Sequence, residues 1–223
     1  GQKGAADVLA KKESELSELT AQIATLRQQN DKQLDKKKPE ETLSYSLGTF
    51  YLRKAMMDSK ELEINGFQIS EKTLTQGFND ASNKKLKLSE KEISDALSLV
   101  NRTVQRNAKK TEALLRAKIG NKRCKLIQPG VYFVVNKKGK KKYEETDVVR
   151  FNMFEKKLDG TPVKNTMNAS VLYKNTDPLM KKIIKHGLKG GQVTIYGRAL
   201  YIYKFLPKNI NGDELISITF SFK

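Results

Sequence analysis

Residues 147–161, DVVRFNMFEKKLDGT, decide the reading of the second half of the chain. β-Branched and aromatic residues recur there with period-two alternation, the pattern of a strand with one buried face, and LDGT supplies turn residues that end it. The same signals recur outward from this stretch. GVYFVV (130–135), GQVTIYG (191–197) and ELISITFSF (214–222) read as further strands. NKKGKKK (136–142) reads as an exposed hairpin loop kept flexible by its glycine. One amphipathic stretch, DPLMKKIIKHGLKGG (177–191), interrupts the strands, with Pro178 at a helix start and Gly187 near its end. Residues 120–223 are therefore expected to form an antiparallel sheet with one short helix, an α+β arrangement.

Upstream the period changes to that of helices. TLSYSLGTFYLRKAMMDSKEL (42–62) places Leu43, Leu47, Phe50, Tyr51, Met57 and Leu62 close to helical spacing. ISEKTLTQGFNDAS (69–82) offers Ser70 as an N-cap. LSEKEISDALSLVNRTVQRNAKKTEALLRAKIG (88–120) opens on the capping-box pair Ser89 and Glu92 and ends at a glycine suited to a helix C′ position. Some 30 helical residues make a rod about 45 Å long, a candidate connector between two bodies. The first segment, 1–38, reads as helix with Leu9, Leu16, Ile23 and Asn30 seven apart. That is a seam of little more than two heptads, with Asn30 at a register-fixing position, and both self-association and packing on the rest of the protein are open. The expected segments are 1–38, 39–88, 89–119 and 120–223, with a joint at Pro39.

The 223 residues suit one large domain or two small ones, and the net charge is +18. The excess is uneven: +5 over 1–119 and +13 over 120–223. A single cysteine, Cys124, excludes an internal disulfide framework, and one histidine, His186, argues against a multi-histidine metal site. No metal and no cofactor is expected. Cys124 lies among Lys122, Arg123 and Lys125, which would lower its pKa if it were exposed. His186 falls near a helix C-terminus, which suits a capping or surface role. No run of about 18 apolar residues exists. A start at Gly1 leaves room for a removed signal peptide or anchor.

The order strand, LDGT, strand, proline-led short helix, KGG, strand, ALY, terminal strand resembles the FKBP-type peptidyl-prolyl isomerase domain. LSYSLG (43–48), TLTQGFNDA (73–81) and KLSEKEISDAL (87–97) resemble the N-terminal domain of Mip-like FKBPs. The resemblance implies a homodimer held by an N-terminal helical domain, for which Leu43, Tyr45, Leu47, Phe50, Tyr51 and Met57 are the candidate contacts. A long connecting helix would then lead to a half-barrel antiparallel sheet with one short helix. It also implies an aromatic proline pocket, and most of that set is replaced here. The pocket positions fall at Met153, Val163, Met180 and Tyr201, with Lys164 where the family has a carboxylate, and the chain has no tryptophan.

Three functions are open on this reading. One is a periplasmic, Gram-negative, protein-binding or chaperone-like folding factor with weak or lost isomerase activity. The second is an active isomerase. The third is a scaffold or binding module for an anionic envelope surface, carried by the basic patch Lys137, Lys138, Lys140, Lys141 and Lys142. Partners implied are a second copy, protein clients and an acidic surface. Nucleic acid is disfavoured, because no nucleic-acid-binding motif is present.

Overall fold

The computed structural model describes residues 1–30, 33–120 and 124–223; the side chains of 28–30 are outside that description, and with them the seam position Asn30. Lys122 and Arg123 also lie outside the described residues. The chain divides into two compact units, Gly1–Ala55 and Met56–Lys223. The first holds helix α1 (Gln2–Asn30) and the start of helix α2 (Pro39–Ile64). Pro39 takes the first position of α2, where its missing N–H costs nothing. Leu9, Leu16 and Ile23 are exposed along α1.

In the second unit, α3 (Glu71–Ser82) is capped by Ser70, whose hydroxyl accepts from the Thr73 amide at 3.2 Å. Helix α4 (Glu90–Ile119) begins with the reciprocal box: Ser89 Oγ accepts from Glu92 N at 3.1 Å, and Glu92 Oε1 accepts from Ser89 N at 3.2 Å. It lies wholly in the second unit, and Thr111 and Leu115 on its apolar face are buried.

Six strands follow: β1 (Lys125–Gln128), β2 (Val131–Lys137), β3 (Val148–Lys157), β4 (Pro162–Leu172), β5 (Gln192–Arg198) and β6 (Leu215–Phe222). They form one open sheet in the order β1-β2-β5-β6-β3-β4, every pair antiparallel. Helix α5 (Pro178–Gly187) links β4 to β5, and the four-residue α6 (Ala199–Ile202) follows β5. Asp177 caps α5 by accepting from Met180 N at 2.7 Å, and Ile183 and Ile184 bury the helix against the sheet. The close fit shows at Gly187, where a Cβ would stand 2.7 Å from the Phe222 ring.

Strand β4 has no place in the periodicity, because it is an edge strand, half exposed, whose alternation two register shifts against β3 interrupt. The lysine-rich loop is the larger difference. It is not a hairpin: β2 and β3 are not neighbours, and residues 138–147 cross over between them. Nor is it slack. Gly139 N donates to Gly187 O at 2.8 Å, Lys140 N to Lys189 O at 3.0 Å, and Lys189 N to Lys141 O at 2.8 Å. A Cβ on Gly139 would stand 2.3 Å from Lys189 O, so this glycine permits close backbone approach rather than flexibility. Lys137, at the end of β2, and Lys138, Lys140, Lys141 and Lys142 on this pinned loop remain exposed.

One lesser expectation also changes. Cys124 is buried, so desolvation pushes its thiol up, against the pull of Arg116. His186 is exposed in the last turn of α5, the surface position expected of it. Its ring is tilted against Phe133 with centroids 4.3 Å apart, and partial burial followed by the charges of Lys125 and Lys185 holds its pKa down.

Candidate functional site

Antiparallel register sets out the site. Directly paired residues share a face, and one row crosses the sheet as Phe133, Ile195, Ile218, Glu155, Lys164. The adjacent row on that face runs Val193, Phe220, Met153, Thr166. Toward β2 these rows are covered by α5. Toward β3 and β4 they stay open and floor a cavity of about 580 Å³. Phe151, Met153, Ile195, Ile218 and Phe220 form the floor; Leu179, Met180 and Ile183 of α5, with Ile202, Tyr203 and Pro207 beyond β5, form the walls.

One charged side chain interrupts this apolar surface from inside. Glu155 is in phase with Phe151 and Met153 and is only 5% exposed. Its Oε1 accepts from the Tyr203 hydroxyl at 2.8 Å. Burial pushes the Tyr203 phenol well above its ordinary range, and the hydrogen bond and charge of Glu155 add to that. Lys164 sits across from Glu155 on β4 and is exposed at the rim; Asp177 stands at the rim on α5.

Of the four expected pocket residues, the structure brings Met153 and Met180 together and leaves two outside. Val163 is displaced by a bulge: Glu155 pairs with Lys164 but Lys156 pairs with Pro162. Val163 is the extra residue, so Lys164 faces the cavity while Val163 packs at the edge of the core. Tyr201 points away because successive residues of a helical turn are about 100° apart. Its hydroxyl donates to Glu61 Oε1 on α2 at 2.6 Å, and Tyr203 takes the cavity position instead. The signal for Glu155 was present in the period-two phase of its strand; the choice between two tyrosines in LYIY had no local signal.

The expected dimer contacts Leu43, Tyr45, Leu47, Phe50, Tyr51 and Met57 are all exposed on α2. Among the described residues no helix is long and apolar enough to cross a membrane.

A six-stranded antiparallel sheet with a single helix laid across one face, a cavity at that helix's start and a tyrosine from the loop after β5 make the architecture distinctive. Solved structures with similar folds include FkpA from Escherichia coli, at 23% identity over 83% of this chain and 96% of that one, TM-score 0.39. A peptidyl-prolyl cis-trans isomerase from Pseudomonas syringae pv. tomato is 11% identical over 52% of this chain and 92% of its own, TM-score 0.41. The three FKBP domains of wheat FKBP73 give 17%, 44%, 46% and 0.37 for the same quantities. No protein-family model matches the sequence, and no curated protein matches it. The open antiparallel sheet with one short helix across it is the arrangement that the sequence resemblance to FKBP domains implied. The chemistry rests on the residues of the cleft itself.

Proposed function

We propose that this protein is a self-associating FKBP-type folding factor that seats proline-containing or apolar segments of client proteins in the cleft over β3 and β6, with weak or lost isomerase activity. The observation that carries the reading is the cleft: an apolar floor open to solvent, holding buried Glu155 paired with half-buried Tyr203. Rotation about an X-Pro bond is opposed by amide resonance, about 18–20 kcal/mol. A dry seat favours the twisted, less polar amide and lowers that barrier without covalent chemistry.

Further lowering needs a hydrogen-bond donor for the twisted amide. The Tyr203 hydroxyl has one proton, already given to Glu155, and what remains to a bound segment is acceptor capacity. Met180 stands at the helix start, and the chain has no tryptophan. Both points favour binding over catalysis. Self-association is supported by the stripe Leu43, Leu47, Phe50 and Met57, apolar at helical spacing and exposed in the single chain. The place of action in this reading is the periplasm of a Gram-negative bacterium. The pinned lysine loop supports a second reading, in which 120–223 rests on an anionic envelope surface.

Magnetisation-exchange NMR on an Ala-Leu-Pro-Phe peptide with the full chain tests the first reading, alongside suppression of aggregation of an unfolded client. Expected are exchange near the uncatalysed rate, tens of seconds or slower, and suppressed aggregation. Fast exchange would make the protein an isomerase; unhindered aggregation would remove the folding role. Salt-sensitive binding to anionic vesicles, lost when the five lysines become Gln, would favour the second reading.

A further inference from the structure

Tyr201, within α6, and Tyr203, just after it, are tied to carboxylates of two different elements: Tyr201 to Glu61 of α2 at 2.6 Å, Tyr203 to Glu155 in the cleft at 2.8 Å. Ile202, between them, lines the cleft. The turn is held from other sides too. Ala199 N donates to Glu214 O at 2.8 Å, Leu200 N to Gly212 O at 3.0 Å and Tyr203 N to Ala199 O at 2.9 Å. The Tyr201 ring lies over Gly130, where a Cβ would stand 2.9 Å from it.

The end of α2 is equally well seated. Asn65, buried, donates from Nδ2 to Glu61 O at 2.8 Å and accepts at Oδ1 from Asn107 of α4 at 2.9 Å. Arg198 Nη1 donates to Ile64 O at 3.5 Å, and the Ile64 side chain would meet a Cβ on Gly212 at 3.2 Å. All of these residues lie in the second compact unit. A four-residue helix held at this many points shifts as a unit, because packed interiors do not deform gradually.

We infer that the Glu61–Tyr201 hydrogen bond lets the end of α2 set the wall of the cleft, making Tyr201 a positioning residue that acts on a bound segment through Ile202 and Tyr203 without touching it. This deepens the proposed function and rests on the cleft being the binding site. Glu61 is only half-buried, so loss of the Tyr201 hydroxyl hands its carboxylate to water at small cost to α2. The consequence falls on α6, which loses its outer tether.

The test uses the full chain with ring-labelled tyrosine and four variants: Tyr201→Phe, Glu61→Ala, the double variant, and Glu61→Gln, which keeps an acceptor oxygen. The Tyr203 ring resonances of the ligand-free protein are read first, then the affinity of a proline-containing peptide by NMR titration. Tyr201→Phe and Glu61→Ala should each move the Tyr203 resonances and weaken the peptide about fivefold, what one lost hydrogen bond implies. The double variant should be no worse than either single, and Glu61→Gln should stay close to the parent. Unmoved Tyr203 resonances, additive effects, or an effect of Tyr201→Phe without one of Glu61→Ala would overturn the inference. If the parent binds no peptide, the cleft reading fails by itself, and the Tyr203 resonances alone still decide whether α2 sets the wall.

Discussion

Tyr203→Phe keeps every carbon of the cleft wall and removes one donor from a carboxylate that is 5% exposed. Glu155 is flanked by Ile218 on one side of its row and by Met153 two residues before on its strand, with Lys164 on the other side of the row exposed at the rim. Solvent therefore replaces the lost hydroxyl poorly, and the burial cost of the charge remains without the bond that offsets it. Hydrogen bonds to charged groups contribute about 1.5–3 kcal/mol, so a loss of ~2 kcal/mol is expected. For a cooperative unit the size of Met56–Lys223, that lowers the melting midpoint by about 4–8 °C. Differential scanning calorimetry of the full chain measures it. Adding Glu155→Gln to Tyr203→Phe removes the stranded charge and should recover part of the loss, because the two changes share one interaction. A midpoint within about 1 °C of the parent, where a loss of ~2 kcal/mol should shift it several degrees, would show that Glu155 is not held by Tyr203 and that the cleft has no polar core.

Burial and carboxylate partners raise both Tyr201 and Tyr203 above the ordinary phenol value of 10.0, so the unfolded chain releases these protons first as pH rises. Their stabilising effect is complete below pH 10 and is lost above it; parent stability should fall more steeply there than that of Tyr201→Phe or Tyr203→Phe, by urea titration at stepped pH. Gly139→Ala drives a Cβ into the Lys189 and Gly187 carbonyls, and hydrogen exchange should show lost protection at the Gly139, Lys140 and Lys189 amides; retained protection refutes a pinned loop. Met180→Trp places a single tryptophan at the cleft, and its emission should shift on adding a proline-containing peptide; an unchanged spectrum at saturating peptide counts against the cleft as the binding site. Leu47→Glu with Phe50→Glu should convert a dimer to monomer in sedimentation velocity, and a parent already monomeric at micromolar concentration refutes self-association through α2.

The sequence by itself determined whatever depends on local chemistry. Ser70, Ser89 with Glu92, Asp177 before Pro178 and Gly120 after Ile119 bound their helices through contacts within a few residues, and those contacts are all present. The strands with a buried face declared themselves by alternation; the same phase carries Glu155 inward beside Phe151 and Met153, although the pattern alone does not single it out. Tertiary structure decided what depends on partners distant in the chain. Strand β4 lacks a clean alternation because it is a bulged edge, and edge position is a property of the sheet. The lysine loop read as a hairpin because nothing in NKKGKKK records that β2 pairs with β5, some 60 residues on. One bulge turned Val163 away and Lys164 in; a short helix turned Tyr201 toward Glu61, 140 residues earlier, and left the cleft to Tyr203. Side-chain direction on a strand flips with every single-residue shift, and on a helical turn it rotates by about 100°. A reading that places a motif correctly to within a residue or two therefore finds the fold and still misassigns the site.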